Sequence, residues 1–204
     1  MTIIAVATTK GGSGKTTLAI CLAAYLKGLG FSVECLDTDP NRNLITWLSN
    51  TDLDIAYSTV AGDDIVDAAD DANKRSDYVI IDVAGSLDAA LIYAVGTADV
   101  VIIPARPDGK DVAEASRTRN CVLAAIKTAR KFDREATIPH AAVLTQVNPR
   151  AQVTPHSREQ LIGLGVPVFR SEIPSRTAYQ QASYRGFPLS DAKVKDDIKS
   201  LVDE

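Results

Sequence analysis

The chain reads as a single-domain α/β protein over residues 1–204, a mostly parallel twisted sheet with helices on both faces. Three observations predict this class. Apolar runs too continuous for a half-exposed strand recur at 3–7, 32–36, 78–82, 99–104 and 138–144. Helical patterns lie between them, and strand–helix alternation is what builds a parallel sheet. Finally, 204 residues, 46% of them apolar, supply one domain with ample core.

Taken in order, the first strand runs into a glycine-rich loop, and Leu18, Leu22, Leu26 and Leu29 then recur at helical spacing. Gly28-Leu29-Gly30 breaks that helix, and the strand at 32–36 ends in Asp37-Thr38-Asp39-Pro40. A short helix over 41–49 shows Leu44, Trp47 and Leu48 as its apolar face. The stretch 51–76 is less regular; Ile65, Val66, Ala68, Ala69 and Ala72 mark a helix whose other side carries Asp63, Asp64, Asp67, Asp70 and Asp71 as a solvated face. The strand at 78–82 closes on Asp82-Val83-Ala84-Gly85. Beyond it are expected a helix over 87–97, a strand over 99–104, a long helix over 112–131, a strand over 138–144, a helix near 154–163 and a strand over 166–170. Residues 172–179 are expected to open another helix, ended by Gly186-Phe187-Pro188-Leu189, and the last helix covers 191–201.

The chemistry concentrates in the first loop, Thr9-Lys10-Gly11-Gly12-Ser13-Gly14-Lys15-Thr16-Thr17. Glycines between a buried strand and a helix start let backbone N–H groups converge on an anion, and the helix N-terminus adds unpaired donors and its positive dipole end. This is a phosphate cradle formed by Gly11, Gly12, Ser13, Gly14, Lys15, Thr16 and Thr17. Lys15 is placed to hold the β- and γ-phosphates, and Thr16 offers a hydroxyl to Mg²⁺. Asp82, closing an apolar strand behind such a loop, is positioned as a carboxylate for the Mg²⁺ shell. The expected fold is therefore that of a P-loop NTPase.

Thr9 stands where the general phosphate-loop pattern has glycine, and a second lysine, Lys10, opens the loop. The octet Lys-Gly-Gly-Ser-Gly-Lys-Thr-Thr resembles the deviant Walker-A signature of the ParA/MinD ATPases, and the likeness extends over nearly the whole chain, most closely to the short, ParF-like partition ATPases. The resemblance implies that Lys10 reaches the phosphates of a neighbouring subunit. It also implies that Asp39, in the switch I segment, orients the attacking water, that Asp37 acts near the Mg²⁺ shell, and that Pro174 packs by the adenine. The sequence departs from the commonest family form at Val83-Ala84-Gly85, where many relatives have x-Pro-Pro, and at Thr145, where relatives often have Asn. The segment 104–111 resembles the family loop near the dimer face.

Composition sets limits. A net charge of −4 argues against a uniformly basic nucleic-acid binder, yet Arg117, Arg119, Lys127, Arg130, Lys131 and Arg134 concentrate against the single acid Asp133. They read either as a solvated helix face or as a surface that tracks DNA phosphates without reading sequence. Cys21, Cys35 and Cys121 lack C-x-x-C spacing and are expected as reduced core thiols; an iron-protein-like reductase is thereby disfavoured. His140 and His156 form no ligand pair. No signal peptide or membrane-spanning run is seen, Met1 leads straight into the first strand, and acids outweigh lysines in the final helix, so anionic lipid would repel it and it is expected to pack on the domain.

The expectation is a Mg²⁺-dependent, slow, partner-stimulated ATPase that forms an ATP-dependent homodimer. It is cytoplasmic and nucleoid-associated, binds DNA non-specifically, and works with a small ParB/ParG-like adaptor in plasmid or chromosome partition. The alternatives are an orphan ATPase that positions a protein cluster over the nucleoid and, against the testimony of Lys10, a metabolic ligase resembling dethiobiotin synthase.

Overall fold

Among the described residues, seven strands are hydrogen-bonded in the order β3-β2-β4-β1-β5-β6-β7, every neighbouring pair parallel. They are β1 (Thr2–Val6), β2 (Val33–Asp37), β3 (Ala56–Thr59), β4 (Tyr78–Asp82), β5 (Val100–Ala105), β6 (His140–Val147) and β7 (Val168–Pro174). The helices are α1 (Lys15–Gly28), α2 (Asn43–Leu48), α3 (Ile65–Asn73), α4 (Ala89–Thr97), α5 (Gly109–Ala129), α6 (Val153–Gly163), α7 (Thr177–Arg185) and α8 (Ala192–Asp203). This computed structural model describes residues 1–86, 89–186 and 188–204. Leu87, expected to start the fourth helix, and Phe187, in the stretch expected to end the seventh, lie outside the described residues.

Alternation along the central strands sorts the core into two layers. Ile3, Ala5 and Ala7 face α3, α4, α5 and α6. Ile4 and Val6 face the other way, toward α1, α2 and α8. Helix α1 is apolar nearly all round, with ten of its residues buried, because it lies between the sheet and α8. Val194, Ile198 and Leu201 of α8 are buried against that layer, so this final helix packs on the domain.

Chain order explains where a ligand would sit. From β1 the chain winds outward to β2 and β3, returns to β4, then crosses β1 to β5 and proceeds the other way. The crevice beyond the strand C-termini at such a reversal is the general ligand position of open α/β sheets. Register sharpens this, since Val6 pairs with Asp82 and Asp37 with Asp82. The loop after β1 and the two strand-end carboxylates therefore share one edge.

Four departures from expectation have local reasons. β3 was not expected, being a four-residue edge strand with no buried residue to give it a period. Helix α5 starts at Gly109 because the Asp108 carboxylate accepts from the Lys110 and Asp111 amides as its cap. β6 continues through Thr145 and Gln146 to Val147. β7 continues to Pro174, so residues 172–174 end a strand rather than open a helix; α7 begins only at Thr177.

Candidate phosphate-binding site

The loop between β1 and α1 adopts the conformation its glycines permit. Gly12 and Gly14 have φ of 80° and 92°, a region that a side chain disfavours. Gly14 occupies the cap position of α1 without a side-chain cap, which leaves first-turn amides open to a ligand. Lys15 closes the loop by donating from Nζ to the Lys10 carbonyl at 2.8 Å. Burial lowers the Lys15 pKa, while Asp82, Asp39 and Asp111 pull it back toward the charged form.

Asp82 lies beside this lysine, 1% exposed, with neither carboxylate oxygen in a well-formed hydrogen bond among the described residues. Burial pushes its pKa up to about 7; the Thr16 hydroxyl and Lys15 pull downward, Asp37 and Asp39 upward. A buried carboxylate with no more than a loose contact to the Thr16 hydroxyl is costly in a purely structural position. It fits a cation, and the donor set of one carboxylate, the Thr16 hydroxyl and a substrate phosphate is how Mg²⁺ is commonly held, with water completing its shell.

Asp37 and Asp39 differ in their commitments. Asp37 is fully buried and accepts from the Asp39 amide at 3.0 Å, the Leu44 amide at 3.1 Å and the Ile45 amide at 3.3 Å. Burial raises its pKa, and the amides offset part of the rise. It thus braces the turn 37–39 and caps α2. Asp39 is half-buried, accepts from the Asn41 backbone and side chain at 2.9 Å each, and lines the phosphate cavity with Lys15 and Thr16. Thr38 ties this turn to the next strand: its hydroxyl donates to the Asp82 carbonyl at 3.2 Å and accepts from the Ala84 amide at 2.9 Å.

Lys10 points within its own chain. Its ammonium pairs with the buried Asp111 carboxylate and approaches Asp108 at 4.0 Å. Arg106 holds the same Asp111 through Nε at 3.2 Å, Nη2 at 3.3 Å and its backbone N–H at 2.9 Å. Burial alone raises the Asp111 pKa, but Arg106 and Lys10 together leave it below the usual carboxylate value.

Three further residues shape the loop, in ways the sequence did not announce. Thr145 donates to the Ser13 carbonyl at 2.7 Å, and Gln146, at φ 53°, donates to the Gly12 carbonyl at 3.2 Å. Gly85 approaches so closely that a Cβ would lie 2.8 Å from the Gly11 amide nitrogen and 2.9 Å from Lys15 Nζ. In the sequence Gly85 and Thr145 stand out only as departures from the family's commonest form, and Gln146 carries no signal.

The phosphate cavity, about 550 Å³, meets a second of about 280 Å³ at Gly14, Thr17, Trp47 and Gln146. Pro174 lines the second cavity with Ile173 and Tyr179. The structure thus groups Gly11, Gly12, Gly14, Lys15, Thr16, Thr17 and Asp39 in one cavity, with Pro174 in the adjoining one.

The basic residues meet different surroundings. Arg117 pairs with Glu114, whose carboxylate also accepts from Thr9 beside the loop. Arg119 packs against the turn after α6, its guanidinium 3.3 Å from where a Gly165 Cβ would stand. Lys127, Arg130, Lys131 and Arg134 are exposed and gather at the far tip of α5, roughly 15 Å or more along the helix from Arg117. Cys21 and Cys35 are buried and Cys121 is half-buried, all as free thiols. No helix among the described residues is long and apolar enough to cross a membrane.

A parallel sheet with a glycine loop at its chain reversal, a buried lysine and a strand-end aspartate defines a phosphate-loop nucleotide-binding protein. Residues 4–189 match the family model of the CobQ/CobB/MinD/ParA nucleotide-binding domain, and the chain belongs to that family. It is 30% identical over 200 residues to protein ParA of Rhizobium radiobacter, covering 96% of this chain and 88% of that one. It is 28% identical over 213 residues to the maintenance of carboxysome distribution protein A of Halothiobacillus neapolitanus, covering 98% and 94%. The structure of apo McdA from Cyanothece superposes with a TM-score of 0.80 at 19% identity, covering 100% of this chain and 98% of that one. The chain is thus a ParA/MinD-type member of the family, whose fold it shares.

Proposed function

We propose that this chain is a Mg²⁺-dependent ATPase that dimerises on ATP and drives DNA partition with a small ParB/ParG-like adaptor. Lys15 and the loop amides hold the triphosphate. Thr16 and Asp82 hold Mg²⁺, which neutralises charge on the phosphates when bound, and Asp37 stands behind that shell, fixing the turn that carries Asp39. Asp39 orients the attacking water. Pro174 packs by the adenine.

The observation that carries the reading is the second lysine at the loop entrance. Lys10 is a quarter exposed and held by a carboxylate that Arg106 also serves. Moving Lys10 to a neighbouring subunit's phosphates therefore leaves Asp111 paired, and a charge supplied in trans stabilises the transition state as an arginine finger does. Slow turnover then follows from an incomplete site in the single subunit.

DNA contact falls to the α5 tip. That tip lies a helix length, roughly 31 Å for 21 residues, from the pocket edge. A dimer closed over the pockets would present two separated basic tips, each holding phosphates weakly and both together with avidity. Such a protein would reside in the cytoplasm on the nucleoid. The full-length similarity to the carboxysome-distribution protein favours a second reading, in which the same cycle positions a protein cargo. Light scattering with a non-hydrolysable ATP analogue and Mg²⁺ tests the shared core. The expected result is a dimer for wild type and a monomer for Lys10→Ala; a wild-type monomer would refute the proposal.

A further inference from the structure

Trp47 lies on the apolar side of α2 by sequence, but its ring does more than fill the core. It lines both the phosphate cavity and the adjoining one, where the two meet at the start of α1. The indole is held firmly. Asp37 caps α2 at one end, Leu44 and Leu48 are buried beneath it, and the indole N–H donates to the Gly186 carbonyl at 3.0 Å.

The polar side chains that end β6 line this cavity, but their donors are engaged by the phosphate loop. The Thr145 hydroxyl is spent on Ser13, and the Gln146 amide nitrogen on Gly12. The Ser175 amide is likewise spent on the Val147 carbonyl. The apolar wall a base would meet is Trp47 with Leu18, Ile173, Pro174, Tyr179 and Ile198; Thr17, Ser175, Arg176 and Gln180 complete the lining, and the Arg176 guanidinium is held by Asp197 through two bonds.

We infer that Trp47 is the base-binding wall of the nucleotide site, and that it recognises a purine by stacking rather than by side-chain hydrogen bonds. The inference rests on the proposed triphosphate site and adds its base selectivity. Stacking on an indole is tolerant of base identity because each base has a π-face, and it strengthens with ring area. A site that reads a base through buried hydrogen-bonding groups rejects the wrong one by several orders of magnitude, whereas an apolar wall does not. Purines are thus preferred over pyrimidines, with little separation of ATP from GTP.

Trp47 is the chain's single tryptophan, so its own fluorescence reports on the site. The test titrates ATP, GTP, CTP and inorganic tripolyphosphate with Mg²⁺, by fluorescence and by calorimetry in parallel. ATP and GTP are expected to change the emission with affinities within about tenfold of each other, and CTP to bind at least about tenfold more weakly. Tripolyphosphate is expected to bind by calorimetry without the emission change. Trp47→Ala should weaken ATP roughly tenfold and leave tripolyphosphate unaffected, while Trp47→Phe, which keeps an aromatic face, recovers most of the ATP affinity. An equal loss for ATP and tripolyphosphate in both variants, or unchanged ATP affinity in Trp47→Ala, would overturn the inference and leave the phosphate site standing. Rejection of GTP by a hundredfold would overturn the stacking mode. If wild type bound neither ATP nor tripolyphosphate, the phosphate site itself would fall, and this inference with it.

Discussion

Asp82 offers a measurement that separates a cation site from a structural carboxylate. Its pKa rises from an ordinary 3.8 to about 7, chiefly through burial. At about 1.4 kcal/mol per pH unit, that is roughly 4 kcal/mol of lost stability once the pH exceeds 7. The sign follows from which state ionises first. Above pH 4 the unfolded chain gives up the proton while the folded chain keeps it until near 7, so the penalty grows across that window and then levels off. Asp82→Asn removes the titration. Its amide carries a cost of its own, about 1–3 kcal/mol if left unsatisfied, but that cost does not change with pH. The informative quantity is therefore the change between two pH values. Relative to wild type, the variant should gain roughly 2–3 kcal/mol on going from pH 5 to pH 8. In urea denaturation of the ligand-free protein this is a relative midpoint shift of about 1 M, with a slope near 2–3 kcal/mol per M. Mg²⁺-ATP should stabilise wild type at pH 8 and fail to stabilise the variant in a Mg²⁺-dependent way. An identical midpoint difference at both pH values would show that Asp82 is not the strained carboxylate described here.

Lys15→Ala should reduce ATP affinity by about a hundredfold, since charged hydrogen bonds of this kind contribute up to ~3 kcal/mol; unchanged binding in calorimetry would refute its role. Asp39→Ala should retain the ATP-dependent dimer while single-turnover hydrolysis falls by about a hundredfold, and normal turnover would move the water-orienting role elsewhere. Reversing Arg130 and Lys131 to Glu should weaken DNA binding on every sequence and flatten its salt dependence by about two phosphate contacts. No change in a filter-binding assay would leave the α5 tip as a solvated face.

Sequence carried the fold because parallel strands buried on both faces leave an unmistakable run of apolar residues, and the cradle because glycine and lysine are placed there by backbone geometry and charge. What it could not carry were contacts made across the sheet edge. Asp111 is one acid in the first turn of a helix, and nothing local tells it from a cap; its partner Lys10 lies 101 residues away. Thr145 and Gln146 meet the loop across 132 and 134 residues. Trp47 has the spacing of a core residue, and α2 does bury its neighbours, so its place between two cavities was hidden. Among the basic residues the sequence could not show that Arg119 packs against the turn after α6 while Arg117 and the α5 tip stay exposed.

The two lysines of the loop are built for different degrees of motion, and their neighbours say why. Lys15 is buried and bonded to a carbonyl of its own loop, and three carboxylates oppose its loss of charge. A phosphate arriving there exchanges one partner for a better one without displacing the chain. Lys10 is tied instead to an acid that has a second cation. Removing the sole partner of a buried charge costs about 3–5 kcal/mol, which would lock a lysine in place. With Arg106 contributing three bonds to Asp111, the carboxylate does not depend on Lys10, and most of that cost is absent. The arrangement gives a fixed cation and a more readily released one beside it, as the proposed two-subunit active site would require.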